Sequence, residues 1–436
     1  MRPFPRTVES LVETPFLTEP DWSRFVECLS ECIEEIAEGA SVLVTSIDPV
    51  ESLAVTFATI VKNGRVFLAN PLWQGSEWMA VSEAATFDRV YGVCEVRAEG
   101  ADSGYVGPPL IMIPSGGTSG NIRFCVHTVD TLSAAVESLW AYHNGRSLSS
   151  ISVLGVFHVS GLMPVVRACL TGGCVHLAKW KELLAGSYPS IPHGHSSISL
   201  VPTQVSELVQ SDAGLQFLHG LDAIYVGGAA ATPALVNAIR TEKLPVLFVY
   251  GMTETAAMVV VGTRADTDSL GAVWGKPLPG VSIEISGDQE ITIRTKSLYN
   301  GYFPSVHNTV EHATGDIGQW TFDGQLQVLG RRDFLINSGG EKVNPLEVEQ
   351  LIADYLPGEG VAVSSRPSET WGEAVVVVVE EELSSDHKDR LLSFLGGRLA
   401  PYKIPKAILT GIPIPRSSVG KINRAQLKDM IREKFA

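Results

Sequence analysis

From about residue 22 to residue 330 the chain alternates short β-branched runs with amphipathic stretches, and this alternation restricts the fold more than any other feature. Ser41 to Ile47 and Arg65 to Ala69 read as strands around a helical Leu53 to Val61. Further along, Ile151 to Leu154, Ala223 to Val226 and Val246 to Tyr250 read as strands, with a helix over Pro233 to Ile239 between the last two. Strand, helix, strand is the order of crossover connections, so the pattern predicts a large layered α/β domain with mostly parallel sheets. Ligands in such sheets sit beyond the carboxyl ends of the strands. The loops expected there are glycine-rich: Ser115 to Gly120, Gly227 to Gly228, and Gly251.

The pattern changes late in the chain. Trp320 to Phe322 and Gln325 to Leu329 flank Asp323-Gly324, a tight-hairpin signal, and Gly330-Arg331-Arg332-Asp333 follows. Asn344-Pro345-Leu346-Glu347 then reads as an N-cap, a proline at the first helical position and a capping-box acid. Strands over Gly360 to Ser364 and Ala374 to Val379 and a helix around Leu391 to Leu399 come next. A last helix is capped by Asn423 and carries Leu427, Met430, Ile431 and Phe435 on one stripe. The expected division is a domain over 1–331 and a small α+β domain over 332–436.

With 436 residues, 45% hydrophobic and 19% charged, the chain is expected to be globular and to hold more than one domain. Its formal charge of −15 argues against a nucleic-acid binder that works by phosphate neutralisation. That charge is uneven: residues 401–436 hold eight Lys and Arg against two acids, a local +6. Six cysteines without a CxxC pair read as free thiols. Neither a signal peptide nor a membrane span is apparent, so the expected location is cytoplasmic.

The P-loop, dinucleotide, zincin and serine-hydrolase signatures are missing from the sequence. In Pro114-Ser115-Gly116-Gly117-Thr118-Ser119-Gly120-Asn121-Ile122-Arg123, glycines permit close backbone approach, hydroxyls donate hydrogen bonds, and an arginine offers a fork for phosphate oxygens. The loop suits a polyphosphate clamp; an ordinary turn between strands is the alternative. Glu254 in Tyr250-Gly251-Met252-Thr253-Glu254 can hold Mg²⁺, or complement a helix N-terminus capped by Thr253. Thr314-Gly315-Asp316 is an Asx turn unless a diol sits nearby, and Arg331 is open to a surface ion pair.

Taken together and in order, these motifs, ending with Lys421 in Pro415-Arg416-Ser417-Ser418-Val419-Gly420-Lys421, resemble the AMP-forming adenylation superfamily of acyl-CoA synthetases, carrier-protein adenylation domains and luciferases. The resemblance implies that Ser115, Thr118, Ser119 and Gly120 bind phosphate, with Arg123 where the family usually has lysine. It assigns Gly228 and Ala229 to the adenine and acyl group, Tyr250 to the adenine, Thr253 and Glu254 to the phosphates and Mg²⁺, and Asp316 with Arg331 to the ribose. Asp333 matches the hinge of a mobile C-terminal domain. Gly339 and Gly340 match the loop used in the CoA half-reaction, and Lys421 matches the catalytic lysine. ATP, Mg²⁺ and CoA are thus the implied cofactor and co-substrates.

More narrowly, Ser-Gly-Gly-Thr-Ser-Gly-x-Ile-Arg-Phe and His158-Val159-Ser160-Gly161-Leu162-Met163 resemble o-succinylbenzoate-CoA ligases of the cyanobacterial and plastid type, which serve phylloquinone and menaquinone biosynthesis. His158, Ser160, Gly161, Gly227, Gly251 and Met252 then line the acyl pocket. For His158 the alternative is a core histidine satisfied by a carbonyl. His193 and His195 read as a solvated loop, and Trp73 and Trp78 as packing residues. The expected partners are a small carboxylic acid, ATP and CoA, with a homodimer left open. Two competing readings are a free-standing enzyme that loads an aryl or amino acid onto a carrier protein, and a non-catalytic nucleotide-binding relative.

Overall fold

The computed structural model describes residues 1–5, 7–98, 105–116, 122–229, 231–263, 273–356, 360–416 and 422–435. Three sheets organise them. In the first, β1 (Ser41–Thr45), β2 (Arg65–Leu68), β3 (Arg89–Gly92), β4 (Leu110–Gly116) and β5 (Ile122–Thr128) lie in the order β3-β1-β2-β4-β5. The first four are parallel; β5 folds back on β4 as an antiparallel hairpin, with Ser115 opposite Arg123. Asp48 caps the crossover helix Pro49–Val61 by accepting from Val50 N and Glu51 N, and Pro49 begins it. That helix is apolar almost all round because it is sandwiched: Phe57 packs with Phe16 and Phe25 in one aromatic cluster.

The second sheet holds β6 (Leu148–Ser152), β7 (Val175–Leu177), β8 (His195–Leu200), β9 (Ala223–Val226), β10 (Val246–Met252) and β11 (Ala257–Thr263). It continues through β12 (Val273–Pro277), β13 (Ser282–Ile285), β14 (Glu290–Arg294), β15 (His312–Trp320) and β16 (Leu326–Arg331). Strands β7, β6, β8, β9 and β10 run parallel. The parallel run ends at β10 because only Thr253–Ala256 join it to β11, too short a link for a crossover, and the remaining pairs are antiparallel.

The third sheet contains β17 (Ile336–Ser338), β18 (Glu341–Val343), β19 (Val361–Ser368), β20 (Gly372–Val379) and β21 (Ala407–Thr410), with helices Pro345–Tyr355, Ser385–Gly396 and Arg424–Lys434. Asn344 caps the first of these helices as read from the sequence, but Glu347 closes no capping box. Its carboxylate instead holds Lys403 Nζ at 2.7 Å, and Asn344 Nδ2 donates to Leu329 O at 2.6 Å. On the last helix Leu427 and Ile431 are buried, whereas Phe435 is 41% exposed under the Arg366 guanidinium. The stripe read from periodicity therefore stops one turn early.

His195 is not in a solvated loop: it opens β8, is buried, and stacks on His143 at 3.9 Å. Trp73 and Trp78 pack edge to face at 5.6 Å. Among the described residues no helix is long and apolar enough to cross a membrane, and all six cysteines are free thiols.

Candidate active site

The site begins where β10 ends. The β10–β11 register shifts between Tyr250 and Gly251, and the backbones approach so closely that a Cβ on Gly251 would lie 2.0 Å from Ala257 O. This bulge turns the chain into a single 3₁₀ turn, Thr253–Thr255, with no side-chain cap from Met252; a helix capped by Thr253 does not form. Glu254, on that turn, is 7% exposed. Ser115 Oγ donates to its Oε1 at 2.6 Å and Tyr302 Oη donates to the same oxygen at 2.8 Å. Burial raises the carboxyl pKa, but the Ser115 and Tyr302 hydroxyls, with a backbone N–H and the nearby His312, together hold Glu254 below the ordinary carboxylate range.

Behind Glu254, His127 is fully buried and its Nε2 donates to Thr253 O at 2.7 Å. Burial pushes its pKa down to about 4, so the ring is neutral near pH 7 and acts as a fixed donor. Arg123, Cys125 and His127 alternate on β5 and therefore share one face. Arg123 stacks on the Tyr302 ring at 4.1 Å, Cys125 pairs with Tyr302 in an isolated backbone bridge, and His127 reaches Thr253.

A second cluster forms around Asp316, 9% exposed on β15. Tyr250 Oη donates to its Oδ2 at 2.7 Å, and Arg331 Nη1 donates to Oδ1 at 3.3 Å and to Thr314 O at 2.8 Å. Asp316 and Arg331 are register partners on β15 and β16, which brings them side by side. Burial raises the Asp316 carboxyl pKa, with Tyr250 and Arg331 opposing it. Arg331 Nη2 also holds Asp333 Oδ2 at 3.1 Å. Tyr299 lies 4.9 Å from the Tyr302 ring, and His312, whose Nδ1 is 3.5 Å from Tyr299 Oη, feels the charge of both acids.

On the side assigned to the acyl group, His158 is the N-cap residue of helix Val159–Thr171 and its ring lies 4.6 Å from Phe157. Gly161 lets that helix start against the preceding loop, since a Cβ there would sit 2.3 Å from Gly155 O. Seven residues separate Ser160 from Arg167, which places both on the same face of the helix. Arg167 is 4% exposed, lies 5.9 Å over the Tyr225 ring and has no carboxylate partner among the described residues. Gly227, Gly228 and Ala229 follow β9 directly, and Met252 ends β10.

Gly339 and Gly340 form the turn between β17 and β18. Gly339 N donates to Trp371 O at 2.8 Å, and Lys406 Nζ sits 4.3 Å over the Trp371 ring. Thr118, Ser119, Gly120 and Lys421 lie outside the described residues.

The residues read from the sequence that meet in space are thus Ser115 with Glu254, and Tyr250 with Asp316 and Arg331. Sequence reasoning missed Tyr302, His127 and Arg167. The signal for two of them was available in the period-two face of β5 and in the aromatic run Tyr299-Asn300-Gly301-Tyr302-Phe303; Arg167 was legible only as a cation in an apolar helix.

The chain is 29% identical to a 2-succinylbenzoate–CoA ligase of Listeria monocytogenes serovar 1/2a, over 85% of this chain and 83% of that one. It is 31% identical to the enzyme of the same name from serotype 4b, over 72% and 68%. In fold it is similar to o-succinylbenzoate CoA synthetase from Bacillus subtilis, solved with an acyl-adenylate intermediate, with a TM-score of 0.78 at 21% identity over 97% of each chain. Residues 39–303, which include Ser115, Tyr250, Glu254 and Tyr302, match the family described as AMP-binding enzyme, and the chain belongs to that family.

Proposed function

We propose that the protein activates 2-succinylbenzoate with ATP and transfers the acyl group to CoA, a step of menaquinone-type quinone biosynthesis. The observation that carries this reading is a pair of buried acids in two neighbouring clusters, Glu254 just past β10 and Asp316 bonded to Tyr250 of β10, each held by hydroxyl or guanidinium donors, in a chain of the AMP-binding family. The substrate follows the names of the relatives. It gains support from Arg167, a buried guanidinium without a carboxylate partner among the described residues, on the same face as Ser160. A dicarboxylate brings one carboxylate to react and a second that needs a cation when buried.

Asp316 accepts from the ribose hydroxyls, assisted by Arg331, while the Tyr250 ring lies against the adenine. Ser115, Thr118, Ser119, Gly120, Arg123 and Thr253 bind the phosphates. Glu254 fits Mg²⁺: the Ser115 and Tyr302 hydroxyls both take Oε1, which leaves Oε2 free of them, and the Cys125 thiol lies beside the same carboxylate. The metal, when bound, offsets the charge of the phosphate oxygens. The acyl carboxylate attacks the α-phosphorus in line and pyrophosphate leaves. Two anions approach in this step, so Lys421 is the cation that lowers their repulsion. Residues 332–436 then turn about Asp333, withdrawing Lys421 and bringing Gly339 and Gly340, backed by Trp371 and Lys406, towards the CoA thiol. The thiol attacks the acyl carbon and AMP leaves. The free cysteines suit a reducing, cytoplasmic setting.

The test is exchange of labelled pyrophosphate into ATP, which should depend on 2-succinylbenzoate, together with mass-spectrometric detection of its CoA thioester. Exchange with none of a panel of succinylbenzoate, benzoates and fatty acids would sink the adenylation reading. Exchange without thioester would redirect the second half-reaction to another acceptor.

A further inference from the structure

Arg123 stands where similar adenylating enzymes usually carry a lysine, and its guanidinium is not simply extended towards a phosphate. Its central carbon lies 4.1 Å from the centroid of the Tyr302 ring. Tyr302 in turn donates to Glu254 Oε1 at 2.8 Å, and Ser115, which faces Arg123 across the β4–β5 hairpin, donates to the same oxygen at 2.6 Å. From these contacts we infer that Arg123 and Tyr302 form a positioning pair. The pair fixes the orientation of the Glu254 carboxylate so that Oε2, and not Oε1, is presented to Mg²⁺ and the phosphates. This rests on the reading of Glu254 as the magnesium carboxylate.

The backbone around Tyr302 supports the role. Tyr299 N donates to Glu254 O at 2.9 Å, Asn300 N to Val126 O at 2.6 Å, Val126 N to Gly301 O at 3.0 Å and Phe303 N to Phe124 O at 2.9 Å. The segment is zipped to β5 on one side and tied to the Glu254 turn on the other. Phe303 is wedged edge-on against Phe67, with ring centroids 5.0 Å apart, which anchors the far end. The backbone that carries the Tyr302 ring is therefore held from both directions, with the ring itself under the Arg123 guanidinium and its hydroxyl on Glu254.

The chemistry follows from the geometry. A terminal carboxylate torsion is broad and two-fold, so an unrestrained Glu254 offers either oxygen. Two hydroxyls on one oxygen remove that freedom. A cation over the phenol ring is attracted by the ring face and strengthens the O–H as a donor to an anion. A planar guanidinium over a ring can present its face to the ring and its donor edges elsewhere, which a lysine point charge does not do. Arg123 is exposed on its outer side, so its edges remain available to a phosphate while its face serves Tyr302.

The experiment is calorimetric binding of Mg²⁺·ATP to the full chain without acid, compared with ATP in chelator, for Tyr302→Phe, Arg123→Leu, Arg123→Lys and the Tyr302→Phe/Arg123→Leu double variant. Tyr302→Phe should weaken Mg²⁺·ATP about tenfold, the scale of one hydrogen bond to a charged group. ATP alone should be nearly unchanged. Arg123→Leu should move in the same direction, Arg123→Lys should recover only part, and the double variant should be no worse than the sum less a clear coupling term. Strict additivity means that Arg123 acts on phosphate independently of Tyr302, and overturns the pair. Equal weakening by Tyr302→Phe with and without Mg²⁺ also overturns it. Glu254→Gln is measured beside them: if it leaves Mg²⁺·ATP binding intact, the magnesium reading itself fails. If Glu254→Gln weakens Mg²⁺·ATP and Tyr302→Phe does not, only the positioning role fails.

Discussion

The Tyr250 hydroxyl donates to Asp316 Oδ2 at 2.7 Å across 66 positions of sequence, while Arg331 occupies Oδ1. The carboxylate assigned to the ribose is thus fully engaged before any nucleotide arrives, and both of its oxygens are pre-aimed. Binding a diol exchanges hydrogen bonds at Asp316 and does not create them on a free carboxylate.

Asp316→Ala should therefore raise the KM for ATP by about tenfold or more, since it removes hydrogen bonds to a charged group. Tyr250→Phe keeps the ring and loses only the internal donor, so its KM for ATP should change by less than about threefold. Steady-state kinetics on both variants decide the matter; a larger effect for Tyr250→Phe than for Asp316→Ala would contradict the assignment.

Lys421→Ala should lower acid-dependent pyrophosphate exchange by about a hundredfold, the scale seen when one charge stabiliser of a transition state is removed. Thioester formation from a supplied acyl-adenylate should stay within about twofold if, as proposed, the lysine serves only the first half-reaction. Equal loss in both halves would remove Lys421 from its proposed role.

Arg167→Gln should raise the KM for 2-succinylbenzoate about tenfold or more and leave the KM for ATP unchanged. A monocarboxylate analogue should not discriminate between the two proteins. If the dicarboxylate and its analogue are affected alike, Arg167 is a packing residue.

Arg424 and Glu349 make a bidentate pair at 2.6 and 2.7 Å with side chains 13% and 11% exposed. They also take the edge-facing groups of Val363, its N–H donating to Glu349 and its carbonyl accepting from Arg424. Arg424→Ala should destabilise the fold by about 3–5 kcal/mol, the cost of leaving a buried charge unpaired. A double replacement by Glu349→Met and Arg424→Leu should cost less than the single change. Denaturant unfolding, following the transition of the C-terminal segment, measures both.

Acid stability follows from the His143–His195 stack. Burial, then the neighbouring His195 and Arg167, push the His143 pKa down to about 3, and burial lowers that of His195. Tyr225 Oη lies 2.8 Å from His143 Nε2, and Arg146 and Asp222 complete the charged surroundings. Both folded-state values lie below that of a free histidine, so the unfolded chain binds protons first. The stabilising effect is complete above about pH 6.5 and is lost as pH falls towards the folded values. Unfolding free energy should fall over that range, and less steeply in His143→Gln; equal slopes would remove these rings as the source.

Much of the fold was legible because hydrophobic period and punctuation are local. The strand over Ala223–Val226, the strand expected over Val246–Tyr250, which runs on to Met252, and the caps at Asn344 and Asn423 lie where residue pattern alone puts them. The misreadings have the opposite character. Glu347 closes no box because Lys403, far along the chain, offers it a better partner. His195 is buried because it opens β8, paired with β6, where the ring packs on His143 at the end of a distant helix.

The sequence by itself determined the order of the chemical groups: hydroxyls and glycines, then Glu254, Asp316, Arg331 and Lys421, on an alternating α/β frame. Only the tertiary structure decided which groups share an oxygen. Ser115, Tyr302 and Glu254 come from three distant segments, and their contact depends on a two-residue pleat, a bulge at Gly251 and a loop zipped to β5. Hydrogen bonds act over about 3 Å, so a site built from them is fixed by packing, which no local pattern in the chain records.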